Sequence, residues 1–363
     1  MSLQIIDRKE KLIGFSRTLV TLSLVAFSGF FIACTQKKQA EKLSKELNVY
    51  NWSYYIGKNT IPNFEREFNV KVNYDNYSSN EELLAKLQSG AKGYDVIFPS
   101  DYMVQIMIKQ KLLEPLNMKN IPNFKNIAQK FKNLPFDPNN KFSIPYLWGT
   151  TGIGINTEKV QDYVDGWDIL WNMKYKGRIT ILDDMRFGIV PALKKLGYSI
   201  NTTNPKELEE AKRLLMIQKP LVKAYTSDTY IDMLKSGDSW IAYGYSGDIY
   251  QVAKENPSIR YVIPKEGTCI WVDNMCIPKG APHKYTAEVF INYILRPEVS
   301  AEISNETWYA NPNEASYGLT NPKIINDPSI YPPKEILDKC EFLKDVGDAT
   351  ILYSKIWSQV KSK

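Results

Sequence analysis

Two hydrophobic periods alternate along most of the chain after residue 46, one typical of strands and the other of helices. In the first third, the signals follow one another as LNVYNWS (strand), TIPNFEREF (helix), VKVNYDNY (strand), EELLAKLQ (helix), YDVIFPS (strand) and DYMVQIMIKQKLL (helix). Ser79 and Glu82 supply a capping-box pair at the start of the second helix. This β-α-β-α-β order predicts a parallel sheet with right-handed crossover connections.

The rest of the chain repeats the alternation. Strand signals recur at RITILDD, SWIAYGYS, IRYVIP and TCIWVDNMCIP, and helix signals at FGIVPALKKLG, NPKELEEAKRLLM, TYIDMLKSG and GDIYQVAKEN. KYTAEVFINYILRPEVSAEI predicts one long amphipathic helix, whereas NETWYANPN and DPSIYPP have the composition of loops. We therefore predict an α/β protein with two lobes, each a sheet flanked by helices.

The first 33 residues have the pattern of an export signal. Four basic residues lie between Arg8 and Arg17, and the sixteen uncharged residues 18–33 follow them. That run is short for a membrane-spanning helix, which needs roughly 20 residues, but it is typical of a signal peptide. Ala33 before Cys34 resembles the lipobox of bacterial lipoproteins, so we predict lipidation of Cys34 and a flexible tether over 34–46. An uncleaved anchor helix is the alternative, and both interpretations place the body of the protein outside the cytoplasm, tied to a membrane.

Charge and composition change this picture in one respect. The chain has 363 residues, a formal net charge of +6 and 23 tyrosines, which first indicates a nucleic-acid-binding protein. Removal of residues 1–33 takes away four basic and two acidic residues and lowers the charge to +4, and an exported chain does not meet nucleic acid. His283 is the single histidine, which excludes multi-histidine metal sites, and its segment KGAPHK predicts a solvated loop. We predict no metal and no cofactor.

The cysteines of the mature body give no framework of disulfides. There are three of them, Cys269, Cys276 and Cys340, which is an odd number, and no two have the CxxC spacing. We interpret Cys269 and Cys276 as small buried side chains of a strand. One disulfide is compatible with the sequence, but nothing in the spacing indicates it.

Aromatic rings, hydroxyls and carboxylates gather where the predicted strands end, which is where open α/β sheets bind ligands. These clusters are Trp52–Tyr55, Tyr77–Ser79, Ser100–Tyr102, Asp183–Asp184 and Tyr245–Asp248, together with Trp271 and Asp273 on one face of TCIWVDNMC. Carboxylates pair with ammonium groups, and rings cover methylene groups and attract cations. The combination predicts a flexible aliphatic polycation as ligand. An anion would require arginines, and Arg186 is the only basic residue near these clusters.

Each candidate also has a structural explanation. Helix capping would explain Asp101, Asp184 and Asp248, because each precedes or opens a predicted helix. Trp52 and Tyr102 would be explained as aromatic residues of the core or of its rim. Asp273 is harder to explain as structure, because a carboxylate in an apolar strand is costly unless it is paired. Gly152 and Gly154 in TTGIGIN lack the third glycine of a dinucleotide loop, so we interpret them as backbone packing or a hinge.

A set of motifs resembles the spermidine/putrescine-binding proteins of bacterial polyamine ABC transporters, which are type II periplasmic solute-binding proteins. The motifs are VYNWSYYI, YDVIFPSDYMV, FDPNNKFSIPYLWGTTGIGIN, KLGYSINTTNPKELE, YGYSGDIYQ, CIWVDNMCIP, ILRPEV and KDVGDAT. The resemblance implies a two-lobed clamp crossed twice by the chain. One lobe would comprise 47–151 plus 272–317, and the other 152–271 plus 318–363.

The same resemblance implies a ligand site and partners. The ligand-binding residues would be Trp52, Tyr55, Tyr102, Tyr245, Trp271 and Tyr309 as an aromatic box, and Ser53, Ser100, Asp184, Asp248 and Asp273 as polar contacts. The partners would be an ABC permease and its ATPase, served by a monomeric binding protein in the periplasmic space that catalyses nothing.

Three departures from the family pattern concern specificity. Tyr54 stands where the family usually has an acidic residue, Phe187 replaces a glutamate and Leu343 a glutamine. Asp248 matches the aspartate of the putrescine-binding branch, so the set favours a short diamine. The alternatives are a transport or sensory protein for another small ligand, such as an amino acid or a metal chelate, and an enzyme on the same scaffold. The enzyme is disfavoured because no cysteine lies beside a plausible general base.

Overall fold

The computed structural model describes residues 42–90 and 92–362. The predicted signal 1–33, the lipidation site Cys34 and residues 34–41 of the predicted tether lie outside the described residues. Within the described ranges, no helix combines the length and the apolar character that crossing a membrane requires. Residues 42–45 precede the first strand, and the backbone N–H of Ser44 donates a 2.9 Å hydrogen bond to Thr286 Oγ1.

A mixed ten-stranded sheet organises the described residues. The strands are β1 (Glu46–Trp52), β2 (Lys71–Tyr77), β3 (Val96–Ile97), β4 (Ser143–Asn156), β5 (Ile179–Ile181), β6 (Val222–Tyr225), β7 (Ile241–Tyr245), β8 (Ile259–Val262), β9 (Cys269–Cys276) and β10 (Glu341–Phe342). Their order is β2-β1-β3-β9-β4-β7-β5-β6, with β8 paired to β4 and β10 to β9. β1 is parallel to both β2 and β3, so the parallel β-α-β-α-β start is confirmed.

The α-helices pack on this sheet, and the described residues contain twelve of them. They are α1 (Thr60–Phe68), α2 (Asn80–Gln88), α3 (Asp101–Lys109), α4 (Val190–Lys195), α5 (Pro205–Gln218), α6 (Tyr230–Ser236), α7 (Ser246–Glu255), α8 (Lys284–Ile294), α9 (Pro297–Thr307), α10 (Pro322–Ile325), α11 (Lys334–Leu337) and α12 (Ala349–Lys361). The Ser79 hydroxyl accepts from the Glu82 backbone N–H, as the capping-box sequence predicts. The Glu82 carboxylate accepts from the backbone N–H of Ser78, so the reciprocal bond lies one residue earlier.

The long strand β4 links two groups of strands. Its residues Ser143–Thr150 pair with β9, and its residues Thr151–Asn156 pair with β7 and β8. Every residue of β4 is buried. The sequence pattern did not predict this strand, because proline and glycine weaken a strand signal. At Gly152, an added Cβ would lie 2.6 Å from the Tyr261 ring, so this glycine serves close packing within the sheet.

Two local predictions were wrong. The predicted long helix is two helices, because Pro297 has no N–H to continue α8 and forces Arg296 into an extended conformation (φ −66°, ψ 139°). His283 is not in a solvated loop: it precedes α8, its ring Nδ1 lies 3.0 Å from Asp95 Oδ2, and its backbone N–H donates to Asp95 Oδ1. The three cysteines of the described residues are free, and Cys269 and Cys276 are buried as predicted.

Candidate functional site

A cavity with an empty volume of about 580 Å³, including its opening to solvent, lies at the ends of several strands. Nine of the eleven predicted ligand-binding residues line it: Trp52, Ser53, Tyr55, Ser100, Tyr245, Asp248, Trp271, Asp273 and Tyr309. The other lining residues are Tyr54, Ser78, Phe187, Ser227, Asp228 and Ile231.

The strand-end rule explains why residues so distant in sequence meet here. Trp52 ends β1, Ser78 follows β2, and Tyr245 ends β7. Each of these strands points its carboxyl end toward the cavity, as expected for ligand sites in α/β sheets. The left-handed backbone of Trp308 (φ 60°) ends α9 and turns the next residue, Tyr309, into the cavity lining.

Asp273 is a buried carboxylate in the wall of the cavity. Ser100 Oγ donates a 2.6 Å hydrogen bond to its Oδ1, and Asn80 Nδ2 donates to Ser100 Oγ at 3.0 Å. Burial raises the pKa of Asp273 to about 7, and the hydrogen bond from Ser100 opposes that rise. With 5% of its surface exposed, Asp273 therefore favours any ligand that brings a positive charge to it.

Asp248 forms a second acidic position, held by two tyrosines. Tyr230 donates to its Oδ2 and Tyr309 to its Oδ1, both at 2.6 Å. Burial raises the pKa of Asp248 to about 6, and the two phenol hydroxyls oppose the rise. The acid lies in the first turn of α7 but accepts no capping hydrogen bond from that helix, so the cap interpretation does not describe it.

Aromatic rings separate and surround the two acids. Tyr309 meets Tyr55 edge-on at 5.2 Å between ring centroids, Trp271 packs 5.3 Å from Tyr309, and Tyr245 lies 6.1 Å from Trp271. An added Cβ at Gly149 would lie 2.8 Å from the Trp271 indole, so that glycine makes room for the ring. Among the described residues, the Tyr55 hydroxyl and the Trp271 Nε1 have no hydrogen-bond partner. The cavity thus combines apolar walls with unused polar atoms.

Tyr102 and Asp184, two predicted ligand contacts, lie outside the lining. Tyr102 donates its hydroxyl hydrogen to Glu81 Oε1 at 3.1 Å. Asp184 Oδ1 accepts from the backbone N–H groups of Arg186 and Phe187, so its carboxylate closes a turn after β5. Burial raises the pKa of Asp184, and those two hydrogen bonds oppose the rise. Neither Tyr102 nor Asp184 therefore lies on the cavity surface.

Six lining residues were not among the eleven predicted contacts, and three of these, Ser227, Asp228 and Ile231, were not singled out from the sequence in any other way. Ser227 and Asp228 follow β6, and Ile231 lies in α6. The strand-end rule would have found Asp228, but VKAY is too short and too polar for β6 to be recognised as a strand. Burial raises the pKa of Asp228, and the neighbouring carboxylate of Glu82 raises it further.

Comparison with known proteins adds a family match. The family model of bacterial extracellular solute-binding proteins matches residues 59–332. The chain is 36% identical to the spermidine/putrescine-binding periplasmic protein of Salmonella typhimurium, over 87% of this chain and 91% of that protein. It is 37% identical to a putrescine-binding periplasmic protein of Pseudomonas aeruginosa, over 96% and 98% of the two chains. The solved TpPotD lipoprotein of Treponema pallidum is similar at 34% identity and a TM-score of 0.78, over 87% of this chain and 99% of that one.

Proposed function

The chain belongs to the family of bacterial extracellular solute-binding proteins, with the type II periplasmic binding protein fold, and from that premise we propose that it captures polyamines for an ABC importer. The ligand is putrescine, spermidine or both. The observation that carries this proposal is a cavity whose walls are aromatic and whose charged groups are all acidic. None of the residues described as lining it is a lysine, arginine or histidine.

An aliphatic polycation matches this chemistry. An ionised carboxylate in a buried cavity is costly without a partner, and an ammonium group supplies the opposite charge together with hydrogen-bond donors. Asp248 and Asp273 are the proposed ammonium contacts, and Trp271, Tyr55 and Tyr309 would cover the methylene groups between them. An acidic ligand would add repulsion from three lining carboxylates, Asp228 included.

Closure of two lobes is the proposed capture step. The lobes would be 47–151 plus 272–317 and 152–271 plus 318–363. The change in pairing partners of β4 between Thr150 and Thr151 supports the first of these crossings. Ligand contacts made from both lobes would favour the closed conformation, which is how a ligand shifts such an equilibrium. We propose that the bound amine is handed to the permease and ATPase unchanged, without catalysis, by a monomer.

A periplasmic location follows from the same family, since the curated relatives are periplasmic proteins. We further propose that Cys34 carries a lipid anchor. The uncharged run 18–33 and the adjoining Ala33–Cys34 pair support this, and the similar Treponema pallidum protein is a lipoprotein. Replacement of Cys34 by serine should move the protein from the membrane fraction to the soluble periplasmic fraction. Unchanged membrane association would instead favour an uncleaved N-terminal helix as the anchor.

Calorimetric titration of the chain beginning at Thr35 tests the proposed ligand class. Putrescine, spermidine and spermine are titrated separately, with glutamate as a matched small anion. We expect saturable binding of at least one amine and no heat of binding from glutamate. Binding of glutamate with no response to the amines would overturn the proposal.

A further inference from the structure

Residues 115–142, which we call the lysine segment, form a strongly basic part of the protein surface. The segment contains five lysines, no arginine and a single acid, Asp137. Asp137 is buried and accepts hydrogen bonds from the Ser143 hydroxyl and from three backbone N–H groups, so its charge is turned inward. Four of the lysines are exposed and one is half-buried. The five are Lys119, Lys125, Lys130, Lys132 and Lys141.

Acidic side chains of the described residues do not neutralise these lysines. Lys130 Nζ lies 5.1 Å from the centroid of the Phe131 ring, a contact that holds an ammonium group without cancelling its charge. Among the described ion pairs, none includes a lysine of the segment. Glu114 and Glu288, two acids that border it, are paired with lysines outside it. The segment therefore presents an uncompensated positive charge, which attracts anionic partners.

Hydrogen bonds fix the lysine segment along α8. The backbone N–H of Asn117 donates to Glu288 Oε1, and that of Asn123 donates to Asn292 Oδ1, both at 2.8 Å. The two ends of the segment are joined by a backbone hydrogen bond, also of 2.8 Å. Because the segment runs along one helix and returns on itself, its lysines share one continuous surface of the protein.

The same helix receives the N-terminal end of the described chain. The backbone N–H of Ser44 donates to Thr286 Oγ1, and Thr286 precedes Glu288 by two residues in α8. Cys34, the proposed lipid site, precedes Ser44 by ten residues, which span at most about 36 Å when fully extended. A membrane that holds Cys34 is therefore within reach of α8 and of the lysine segment beside it.

We propose that the lysine segment is a membrane-contact surface, which binds the anionic headgroups of the bilayer that holds the lipid anchor. This inference rests on the proposed anchor at Cys34 and does not depend on the ligand of the cavity. A lysine close to an anionic membrane strengthens binding roughly fivefold, and its effect fades over a Debye length of about 8–10 Å. Such a contact is sensitive to salt, so it orients the anchored chain and does not replace the anchor.

Sedimentation with lipid vesicles tests the inference. The chain beginning at Thr35 is used, because it contains every described residue and carries no lipid that could insert by itself. One set of vesicles mixes phosphatidylglycerol with phosphatidylcholine, and the other is pure phosphatidylcholine, which has no net charge. We expect binding to the anionic vesicles that added salt weakens, and none to the neutral ones. Equal binding to both sets, or binding to neither, would overturn the inference; an acidic protein would then be the partner to seek.

Glutamine substitutions locate the contact on the lysine segment. Lys119→Gln, Lys125→Gln and Lys141→Gln, made together, remove three exposed charges and should lower the affinity for anionic vesicles about a hundredfold, from roughly fivefold per lysine. The control has the same change in net charge on the other proposed lobe and should bind vesicles as the wild type does. It combines Lys176→Gln, Lys206→Gln and Lys355→Gln, all at exposed positions. Equal losses in the two variants would overturn the inference, because net charge and not this surface would drive binding.

Putrescine titration of the same proteins separates this inference from the proposed function. None of the six substituted lysines lines the cavity, so both variants should bind putrescine with the wild-type affinity and melt at the wild-type temperature. If the wild type binds anionic vesicles but no amine, the proposed ligand is wrong and the membrane contact stands. If it binds amines but does not distinguish anionic from neutral vesicles, the membrane contact alone is wrong.

Discussion

The hydroxyl of Tyr309 donates a 2.6 Å hydrogen bond to Oδ1 of Asp248. Tyr309 belongs to the segment 272–317 of one proposed lobe, and Asp248 to the segment 152–271 of the other. The ring of Tyr309 also lies against Gly247, where an added Cβ would be 2.6 Å from its atoms. Tyr309 therefore lines the cavity and also holds Asp248, which belongs to the other proposed lobe.

Removal of this hydroxyl should weaken ligand capture. In Tyr309→Phe, the half-buried Asp248 loses one of its two donors, so its pKa should rise further above 6 and its ionised form should become rarer at neutral pH. We expect putrescine to bind about tenfold more weakly, the scale of one hydrogen bond to a charged group. Calorimetric titration measures the loss. Tyr163→Phe is the control, because Tyr163 is 85% exposed, and equal affinities in the two variants would contradict the role of Tyr309.

Loss of the negative charge of Asp273 should weaken polyamine binding more than loss of the Tyr309 hydroxyl. Asp273→Asn keeps an oxygen that accepts from Ser100 but removes the charge that an ammonium group needs. We expect affinity for every polyamine to fall by roughly a hundredfold or more, as for truncation of one partner of a buried charge pair. Melting temperatures should show an intact fold. Asp338→Asn, which changes an exposed acid paired with Lys334, should bind as the wild type does; retained affinity in Asp273→Asn would mean that the ammonium site lies elsewhere.

The sequence was sufficient to bring most of this cavity together. Strand ends are recognisable from hydrophobic runs followed by turn residues, and parallel strands deliver their ends to one edge of a sheet. Trp52 at the end of β1 and Ser100 after the parallel β3 could therefore be placed near each other from the sequence alone. The pairing of Trp271 with Asp273 required only the alternation of a strand. The parallel arrangement of β1, β2 and β3 was predicted from the alternation of strand and helix signals along the chain.

The parts of the fold and the cavity that the sequence did not predict depend on contacts between residues distant in the chain, which no local sequence pattern indicates. The fourteen-residue buried strand β4 has a weak strand signal in the sequence because of its glycines. Two of these glycines leave room for the rings of Tyr261 and Trp271, a contact that the local sequence does not indicate. Asp184 follows a strand as the rule requires, yet its oxygen turns back to its own backbone. Asp228 reaches the cavity from a strand too short to recognise.

Polyamine affinity should increase as pH rises through the titration of the two cavity acids, Asp248 and Asp273. An ammonium ligand needs the ionised carboxylates, and their pKa values of about 7 for Asp273 and about 6 for Asp248 leave both largely protonated near pH 5. We therefore expect putrescine to bind progressively more tightly from about pH 5 to about pH 8, with protons released on binding. Titration at about pH 6.5 in two buffers of different ionisation enthalpy measures that release. Heats that do not depend on the buffer would contradict the linkage.

The stability of the ligand-free chain should respond to pH in the opposite direction. An acid whose pKa is higher in the folded state binds its proton more tightly there, so Asp273 stabilises the fold below the pKa of about 4 that it has when unfolded. That contribution is lost as pH rises toward about 7 and is absent above it. Asp273→Asn does not titrate, so between about pH 4 and pH 7 its urea midpoint should fall less than that of the wild type. Parallel midpoints across this range would show that Asp273 has an ordinary pKa in solution.

A carboxylate at position 187 should widen the specificity of the cavity. Phe187 lines the wall, packs edge-on against Tyr245 at 5.4 Å and lies beside the turn that holds Asp184. Phe187→Glu would add an acid to the apolar side of the cavity, where the further ammonium group of a triamine would pair with its ionised form. We expect the spermidine-to-putrescine affinity ratio to rise about tenfold, on the scale of one charge-assisted hydrogen bond.

Phe187→Leu supplies the matched control for that change, since it alters the ring but adds no charge. The ratio in Phe187→Leu should stay near that of the wild type, even if both affinities fall through lost packing on Tyr245. A rise of equal size in the glutamate and leucine variants would show that space, and not charge, limits the length of the amine. No rise in either variant would place the third ammonium group of a triamine away from this wall, because a carboxylate that faces a bound cation must change its affinity.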